Sequence, residues 1–404
     1  MQRQSTGTEG DYEVRLFESR DRDGYLALYD AVLGDGSERW FDWKYRDNPY
    51  ADHVSIVVAL DGERVVGAKS AVGFEVGHAG RRHRALQPAD TMVLPDHRRQ
   101  GVYSRMTEHM KDVYADREQA LFFNYPNEAT LSGSLKHGWD HVDSVTTRYR
   151  IRDPAAFASV DAGPLDGALD AVGRTVADAV LGRRSPVGDV FGRRRDATTS
   201  PDESLDESPD ELTVRRHRRV PVETLAGLYR RRVPGRFHVV RDERYLDWRY
   251  GNPNWEYTAY TAQRGGHPVC GAVVGRGANA GVEEASLTDL LPLGGPANGT
   301  AAAPVADSAD AAAPAGDSAD AAAVALLDRI LADYRDVEVV TAADGALPAG
   351  TLAAFGFLPD TQPPLSWVSS PRNLVAYSLD DSLDREHLAD PDEWVLGLSD
   401  RDTR

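Results

Sequence analysis

Apolar and polar positions near the start of the chain follow the periods of strands and helices. Residues 54–72, VSIVVALDGERVVGAKSAV, are two apolar runs joined by an Asp-Gly pair, which predicts a β-hairpin. Residues 120–125, ALFFNY, form a short apolar run typical of a buried strand. From Val102 to Val113 the apolar positions step by four, four and three, which predicts a helix with one buried face.

The same order of elements recurs in the second half of the chain. The segment ERWFDWKYRDNPY at 38–50 returns as ERYLDWRYGNPNW at 243–255, and each copy precedes a predicted pair of strands. Shorter echoes flank both copies in the same order, which makes coincidence an unsatisfactory explanation. We therefore predict an α/β fold with mixed sheets, in two tandem units of about 150 residues, the second degenerate.

Changes in composition divide the chain into four parts. We predict a first unit at 1–152, a connecting region at 153–212, a second unit at 213–385 and an acidic tail at 386–404. The connecting region combines an amphipathic helix pattern with a polar, acidic run typical of a flexible linker. Residues 295–323 contain DSADAAA twice, in a background of Ala, Pro, Gly and Asp, which predicts a disordered loop in the second unit.

Charge narrows the range of partners. The 404 residues include 64 acidic and 46 basic side chains, for a net charge of -18, and the only lysines are Lys44, Lys69, Lys111 and Lys136. An acid-rich, lysine-poor surface is typical of halophilic proteins, because it stays hydrated when salt screens charge repulsion. An acidic mesophilic protein from a GC-rich genome is the alternative. Either composition argues against nucleic-acid binding, which needs a basic face.

The cysteine, the apolar runs and the histidines argue against a disulfide-bonded, membrane-spanning or metal-binding protein. The single cysteine, Cys270, excludes an internal disulfide and fits a reducing compartment. The first twenty residues are polar and no apolar run approaches the roughly 18 residues of a membrane helix, so we expect a cytoplasmic protein without a signal peptide. The helix pattern at 164–182 is expected to pack on the units, with a membrane surface as the less favoured alternative. His78, His83 and His97 lack further ligands at a suitable spacing, so no metal site is predicted.

The junction VLPDHRRQGVYSRM at 93–106 places two arginines and a glycine between a predicted strand and a predicted helix. A strand that leads directly into a helix directs the free N–H groups and the positive end of the helix dipole at one place. Glycine lets a ligand approach the backbone, so the junction is suited to a phosphate. A Walker P-loop and a dinucleotide-binding fingerprint are excluded because their glycine patterns are missing. The competing interpretation is that the arginines only pair with surface carboxylates.

These residues resemble the signature of the GNAT superfamily of acyl-CoA-dependent N-acyltransferases, in which a strand and V-x-P precede R/Q-x-x-G-x-G/A. Here VLP at 93–95 precedes RRQG at 98–101, and Tyr103 departs from the pattern, which has Gly or Ala at that position. The stretch FFNYPNEATLSGSLKHGW at 122–139 resembles the strand and helix that follow in the family. The resemblance covers the first unit well and the second only in outline.

The resemblance implies acyl-CoA, in its simplest form acetyl-CoA, as the co-substrate. Its pantetheine arm would lie in a slot between the strand that ends at Leu94 and the strand at 120–125, and its diphosphate on the amides that follow. The cofactor-binding residues implied in this way are Met92, Val93, Leu94, Arg98, Arg99, Gln100, Gly101, Val102, Tyr103, Ser104 and, on the other wall, Asn127.

The resemblance also implies direct attack of an amine on the thioester, without a covalent intermediate. Asp90, just before the cofactor strand, is the candidate base, and an ordinary structural carboxylate is the alternative. Many members protonate the departing thiolate with a tyrosine seven residues after the asparagine. Here that position is Ser134, and Tyr125 and Tyr103 are the candidate replacements.

The sequence therefore predicts an N-acetyltransferase that acts on a primary amine of a small molecule, amino sugar or peptide. Aminoacyl transfer from tRNA is disfavoured by the acidic surface, and a non-catalytic acyl-CoA-binding or scaffolding protein is the alternative of another class. The second unit has no R-x-x-G after its LTDLLPLGG at 287–295. We expect it to bind no acyl-CoA and to shape the acceptor site of a monomer or homodimer.

Overall fold

The computed structural model describes residues 12–34, 36–153, 211–279, 282–294, 316–363, 365–367, 372–380 and 382–401. Most of the predicted connecting region, including the helix pattern at 164–182, lies outside the described residues, as does 295–315.

Fifteen strands and nine α-helices are present in the described parts of the chain. The strands are β1 (Glu13–Leu16), β2 (Ile56–Asp61), β3 (Arg64–His78), β4 (Arg81–Val93), β5 (Gln119–Asn124), β6 (Asp140–Val145), β7 (Thr147–Ile151), β8 (Leu212–His217), β9 (His238–Val239), β10 (Glu256–Arg264), β11 (His267–Asn279), β12 (Val282–Leu291), β13 (Val339–Ala343), β14 (Leu358–Pro359) and β15 (Arg372–Ser378). The helices are α1 (Arg22–Val32), α2 (Glu38–Phe41), α3 (Val102–Ala115), α4 (Glu128–Lys136), α5 (Val222–Arg231), α6 (Glu243–Arg249), α7 (Gly316–Asp333), α8 (Ala349–Ala354) and α9 (Arg385–Ala389).

The strands form two mixed sheets. The first has the order β1-β2-β3-β4-β5-β15-β6, with β9 added beside β3, and the second has the order β14-β7-β13-β12-β11-β10-β8. Only β4 with β5 and β12 with β13 are parallel among the described pairs. The predicted mixed α/β class is confirmed, and both sheets place their parallel pair at an equivalent position.

Local sequence explains the elements that were predicted. The hairpin of β2 and β3 turns at Gly62, whose φ of 62° suits glycine. Val102, Met106 and Met110 of α3 are each at most 2% exposed and pack on one face of the first sheet. The opposite face of that sheet packs against α1 and also against α5 and α6, so its core is shared by both halves of the chain.

The predicted division of the chain does not follow the sheets. Strand β7 leaves the first unit and joins the second sheet between β13 and β14, whereas β15 returns from the end of the second unit and lies between β5 and β6. Leu374, Val375 and Ala376 of β15 are at most 1% exposed. A central strand needs hydrogen-bonding neighbours on both sides, so each sheet is incomplete without the other half of the chain.

The low-complexity loop is also shorter than predicted. Its second DSADAAA copy lies in α7, where Ala322 and Ala323 are buried against Leu326 and Ile330. The prediction of disorder is therefore wrong for residues 316–323, because alanine has the highest intrinsic helix propensity and here also lines a helix face that packs on the second sheet.

The repeated segments meet each other directly. The indole N–H of Trp43 donates to the carbonyl of Trp248 at 2.7 Å, and the indole N–H of Trp248 donates to the carbonyl of Trp43 at 2.8 Å. The two rings stack with centroids 5.5 Å apart. Trp43 and Trp248 occupy the same position of the two segments, so the two segments contact each other through equivalent residues.

Candidate functional site

The site predicted from the sequence lies where β4 and β5 separate. Residues 84–86 of β4 pair with residues 119–122 of β5, and beyond Leu86 the two strands share no register. Residues 121–124 of β5 pair with β15 on their other side. The last seven residues of β4 therefore lack a strand partner on the side that faces β5, which leaves the gap in which the resemblance places a pantetheine arm.

A bulge in β4 accompanies the separation. Ala68 and Ser70 of β3 pair with Met92 and Ala89, so two residues of β4 lie opposite Lys69 alone. One of these two is Asp90, whose φ of 42° is unusual for a residue other than glycine. A bulge of this kind bends its strand and increases the local twist, which turns β4 away from β5.

The candidate base Asp90 is buried and held by two partners. Its side chain is 2% exposed, lies 2.6 Å from the ammonium of Lys44 and accepts a hydrogen bond from the Tyr45 hydroxyl at 2.5 Å. Both partners come from the repeated segment at 38–50, so the carboxylate ties that segment to the bulge. The prediction that Asp90 takes the proton of the amine is therefore not supported, and the carboxylate instead fixes the bulge.

The second unit, for which no catalysis is predicted, also contains a tyrosine–aspartate hydrogen bond. Tyr250 occupies the position of Tyr45 in the repeated segment, and its hydroxyl donates to Asp289 of β12. Asp289 also pairs with the fully buried Arg241 at 2.9 Å. A tyrosine–aspartate bond in both copies indicates a structural role for the carboxylate.

The turn after β4 has the geometry of an anion site. A 3-10 turn at Pro95–His97 leads to Arg99 and Gly101, whose φ angles are 61° and 78°, and α3 begins at Val102. No side chain caps this helix, so the N–H groups of its first turn have no intrahelical partner. A Cβ atom built on Gly101 would meet no atom within 4 Å, so a ligand can approach the backbone there.

The predicted cofactor residues divide into structural and accessible groups. Met92 and Val102 are buried in the core, so only their backbone could contact a cofactor. The Arg98 side chain donates to the carbonyl of Val93 at 3.0 Å, and Gln100 donates to the carbonyl of Asp96. These side chains brace the turn. Arg98, Arg99, Gln100 and Gly101 are exposed, and the partly exposed residues are Val93, Leu94, Tyr103 and Ser104.

Asn127 and Ser134 lie on α4, across the gap. Asn127 is the N-cap of this helix, and its side-chain oxygen Oδ1 accepts from the N–H of Thr130 at 3.0 Å. Its amide nitrogen has no described partner. Ser134 is half-buried on the same helix. Leu131 of α4 packs in the same cluster as α3, so α4 lies on the face of the sheet that carries α3.

Tyr125 follows β5 and belongs to the opposite face of the sheet. Its ring packs with Phe123, and its hydroxyl is buried with no hydrogen-bond partner. Burial raises the pKa of Tyr125 well above its usual value, and the nearby Asp400 adds to this shift. Such a phenol can donate a hydrogen bond but gives up its proton with difficulty. The structure does not bring Tyr125 and Ser134 onto the same side of the sheet.

Sequence reasoning did not place the C-terminal residues at this site. The Gln87 side chain, next to the last paired residue of β4, donates to the carbonyl of Asp400 at 2.7 Å. Asp400 is buried and pairs with Arg241 at 2.5 Å, while the guanidinium of Arg401 lies 5.7 Å from the Tyr125 ring. The only sequence signal was the apolar WVL at 394–396 within an acidic tail.

The second unit has an equivalent gap that is filled. Residues 284–287 of β12 pair with residues 339–342 of β13, after which the strands separate. The space between them is lined by Leu293, Ala343, Val395 and Leu396 and measures about 20 Å³. This is room for about one water molecule, and not for a pantetheine arm.

The larger described cavity lies elsewhere. It measures about 740 Å³ and is lined by both copies of the repeated segment, including Trp43 and Trp248. None of the predicted site residues lines it.

No helix in the described ranges is both long and apolar enough to cross a membrane. The described residues also contain no cluster of three metal-ligating side chains.

Comparison with known proteins gives one family model and several similar folds. Residues 13–142 match the family model of the acetyltransferase (GNAT) domain. No curated protein sequence matches the chain. In structure, 91% of the chain is similar to a probable N-acyltransferase of unknown function from Enterococcus faecalis, with 10% identity, 72% of that chain covered and a TM-score of 0.55.

Two further solved structures share the fold. The chain is similar over 91% of its length to a GCN5-related N-acetyltransferase from Anabaena variabilis, with 10% identity, 73% of that chain covered and a TM-score of 0.53. The same share of the chain is similar to the Saccharomyces cerevisiae N-myristoyltransferase with bound myristoyl-CoA, with 12% identity, 78% of that chain covered and a TM-score of 0.54. At these identities the likeness concerns the fold alone.

Proposed function

We propose that this chain, whose residues 13–142 match a GNAT acetyltransferase domain, transfers an acyl group, in the simplest case acetyl, from acyl-CoA to a primary amine. The observation that carries the proposal is the unpaired end of β4, which runs into an uncapped helix through two left-handed residues, Arg99 and Gly101. An unpaired strand edge can bond a pantetheine arm, and the amides that follow can hold a diphosphate.

The residues present fit acyl-CoA as the co-substrate. Backbone groups of residues 92–94 would bond the pantetheine arm, and the amides of residues 99–104 would hold the diphosphate. Gly101 leaves open space where a side chain would block that approach. The amide nitrogen of Asn127 is available to the cofactor from the other wall, because only its carbonyl oxygen is used in capping.

The chemistry is direct attack by the amine. Orientation and backbone donors at the β4 bulge supply the main stabilisation of the developing oxyanion. Asp90 holds this bulge through Lys44 and Tyr45. The position of the usual tyrosine is Ser134, and the thiol of CoA, with a pKa of roughly 8.5, leaves tolerably as a thiolate without a general acid.

The second unit shapes the acceptor site and binds no acyl-CoA. Residues 395–397 line its gap, and α5 and α6 pack on the face of the first sheet opposite α3. The acceptor is the amine of a small molecule, an amino sugar or a peptide, and the acidic composition indicates a halophilic cytoplasm. Because the two halves already cover each other, we expect a monomer, with a homodimer as the alternative; light scattering distinguishes them.

A non-catalytic acyl-CoA-binding or scaffolding protein remains the second candidate. It is favoured by one observation, that neither a free carboxylate base nor the usual tyrosine is present at the β4 gap in the described residues. Release of free CoA that depends on an added amine supports the transferase. Binding of acetyl-CoA without release, across a panel of amino sugars, polyamines and peptides, supports the scaffold.

Calorimetric titration of acetyl-CoA in concentrated KCl tests the cofactor site. We expect micromolar binding by the native chain and loss of binding in Gly101→Asp, which places a carboxylate where the diphosphate lies. Gly101→Asn is the matched control, because asparagine tolerates the same left-handed conformation and adds no charge. Absence of binding to the native chain contradicts the proposal, and equal loss in both variants assigns the effect to the backbone.

A further inference from the structure

Lys69 is a buried cation whose charge no described residue balances. It lies in β3, directly opposite the bulge of β4, and is 6% exposed. Among the described residues no carboxylate lies within ion-pair distance of its ammonium and no hydrogen bond reaches it. By contrast, Lys44 pairs with Asp90 at 2.6 Å and Lys111 approaches Glu108 at 3.4 Å.

The ammonium of Lys69 lies beside the start of α3. It is 5.0 Å from the centre of the Tyr103 ring, and Tyr103 is the second residue of that helix. The Tyr103 ring in turn lies against α4, where a Cβ atom built on Gly133 would be 3.3 Å from the tyrosine hydroxyl. The Tyr103 ring therefore lies close to both the ammonium of Lys69 and α4.

This arrangement brings together two positive features. The first turn of α3 carries the positive end of the helix dipole, and the ammonium of Lys69 is nearby. Burial lowers the pKa of Lys69 to about 8, so at neutral pH the group is still mainly protonated. A buried charge is retained at such a cost when a counter-ion satisfies it. An anion bound at the turn supplies that counter-ion.

We propose that Lys69 binds phosphate in the cofactor site, where its ammonium acts with the amides of α3 on the diphosphate of acyl-CoA and Tyr103 fixes its position. The inference rests on the proposed function. It also accounts for Tyr103, where the family pattern has Gly or Ala. A small residue there would let the cofactor come closer to the backbone. In this chain the charge of Lys69, which the Tyr103 ring positions, compensates for the lost approach.

Two ligands and two variants test the role of Lys69. The ligands are acetyl-CoA and S-acetylpantetheine, which has the same thioester arm without the diphosphate. Lys69→Met keeps the length of the side chain and removes its charge. We expect acetyl-CoA affinity to fall about 10- to 100-fold, the range for a lost hydrogen bond to a charged group, and S-acetylpantetheine affinity to stay unchanged. Lys136→Met, which removes an exposed lysine on α4, is the control and should change neither affinity.

Each outcome decides a separate question. Equal weakening for both ligands in Lys69→Met would show that the lysine supports the slot and does not bind phosphate. Unchanged affinity for acetyl-CoA in this variant would also overturn the inference, while native binding of acetyl-CoA would leave the proposed function intact. Failure of the native chain to bind acetyl-CoA would overturn both.

Discussion

The two strand gaps of this molecule differ in what lies in them, although their walls are alike. In each sheet a parallel pair separates after a few residues, and in each a tyrosine of the repeated segment bonds an aspartate beside the gap. The gap of the first sheet opens on a turn with two left-handed residues, whereas residues 395–397 line the gap of the second. The separation of the parallel strands recurs in both sheets, whereas the two gaps differ in the residues that lie beside them.

The largest expected effect comes from separating the two halves. We expect residues 1–152 expressed alone to fail to fold, because β15 between β5 and β6 comes from the other half of the chain. Circular dichroism and solubility measure the result. Co-expression with residues 213–404 is the matched control and should recover soluble protein. A soluble, cooperatively melting 1–152 fragment would show that the strand exchange is dispensable.

Replacing the aspartate beside each gap should lower the free energy of unfolding by different amounts. Asp90→Asn leaves the Lys44 ammonium buried beside a neutral amide, and we expect the free energy of unfolding to fall by about 3–5 kcal/mol. Asp289→Asn leaves Arg241 paired with Asp400, so a smaller loss of about 1.5–3 kcal/mol is expected. Denaturant titration in concentrated KCl measures both.

The same variant examines the role of Asp90 in catalysis. If Asp90 only fixes the bulge, the folded fraction of Asp90→Asn should retain a measurable kcat with an unchanged pH profile. A fully folded Asp90→Asn protein that has lost its turnover would instead restore Asp90 as the base.

Local patterns were predictable from the sequence, and long-range partners were not. The hairpin, the buried face of α3 and the phosphate turn each depend on residues within about one element of one another. Asp90 was assigned as a base because its partner Lys44 is 46 residues away, and Gln87 meets Asp400 across 313 residues. The burial of Lys69 depends on a bulge in the neighbouring strand, which a single sequence does not reveal.

The contact between the halves should also give a pH dependence. His238 of β9 is 1% exposed; its ring accepts from Tyr229 and donates to the carbonyl of Arg236. Burial lowers the pKa of His238 to about 4, and the charge of Arg241 acts in the same direction. The folded state therefore holds this ring neutral, so stability is complete above the unfolded pKa of roughly 6.5 and is lost as pH falls toward 4.

The size of this loss is measurable by comparison. It amounts to about 3 kcal/mol at most, and His238→Gln should remove this component of the acid slope. Denaturant titrations from pH 7 to pH 4 on both proteins provide the measurement. Parallel pH curves for the two proteins would mean that His238 is protonated in the folded state.

The smallest expected effect concerns the ring of Tyr103, a position where the family pattern has Gly or Ala. Tyr103→Phe keeps the ring over the Lys69 ammonium and should leave acetyl-CoA affinity unchanged. Tyr103→Leu removes the ring beside the buried ammonium, and we expect affinity to fall several-fold, since one cation–π contact contributes about 0.5–2 kcal/mol. The second copy has no R-x-x-G sequence after its LTDLLPLGG, so these two variants test a feature that the sequence gives only to the first copy. A tighter complex in Tyr103→Ala than in the native chain would show that the ring obstructs the cofactor, and that the family's small residue serves this gap better than a positioned lysine.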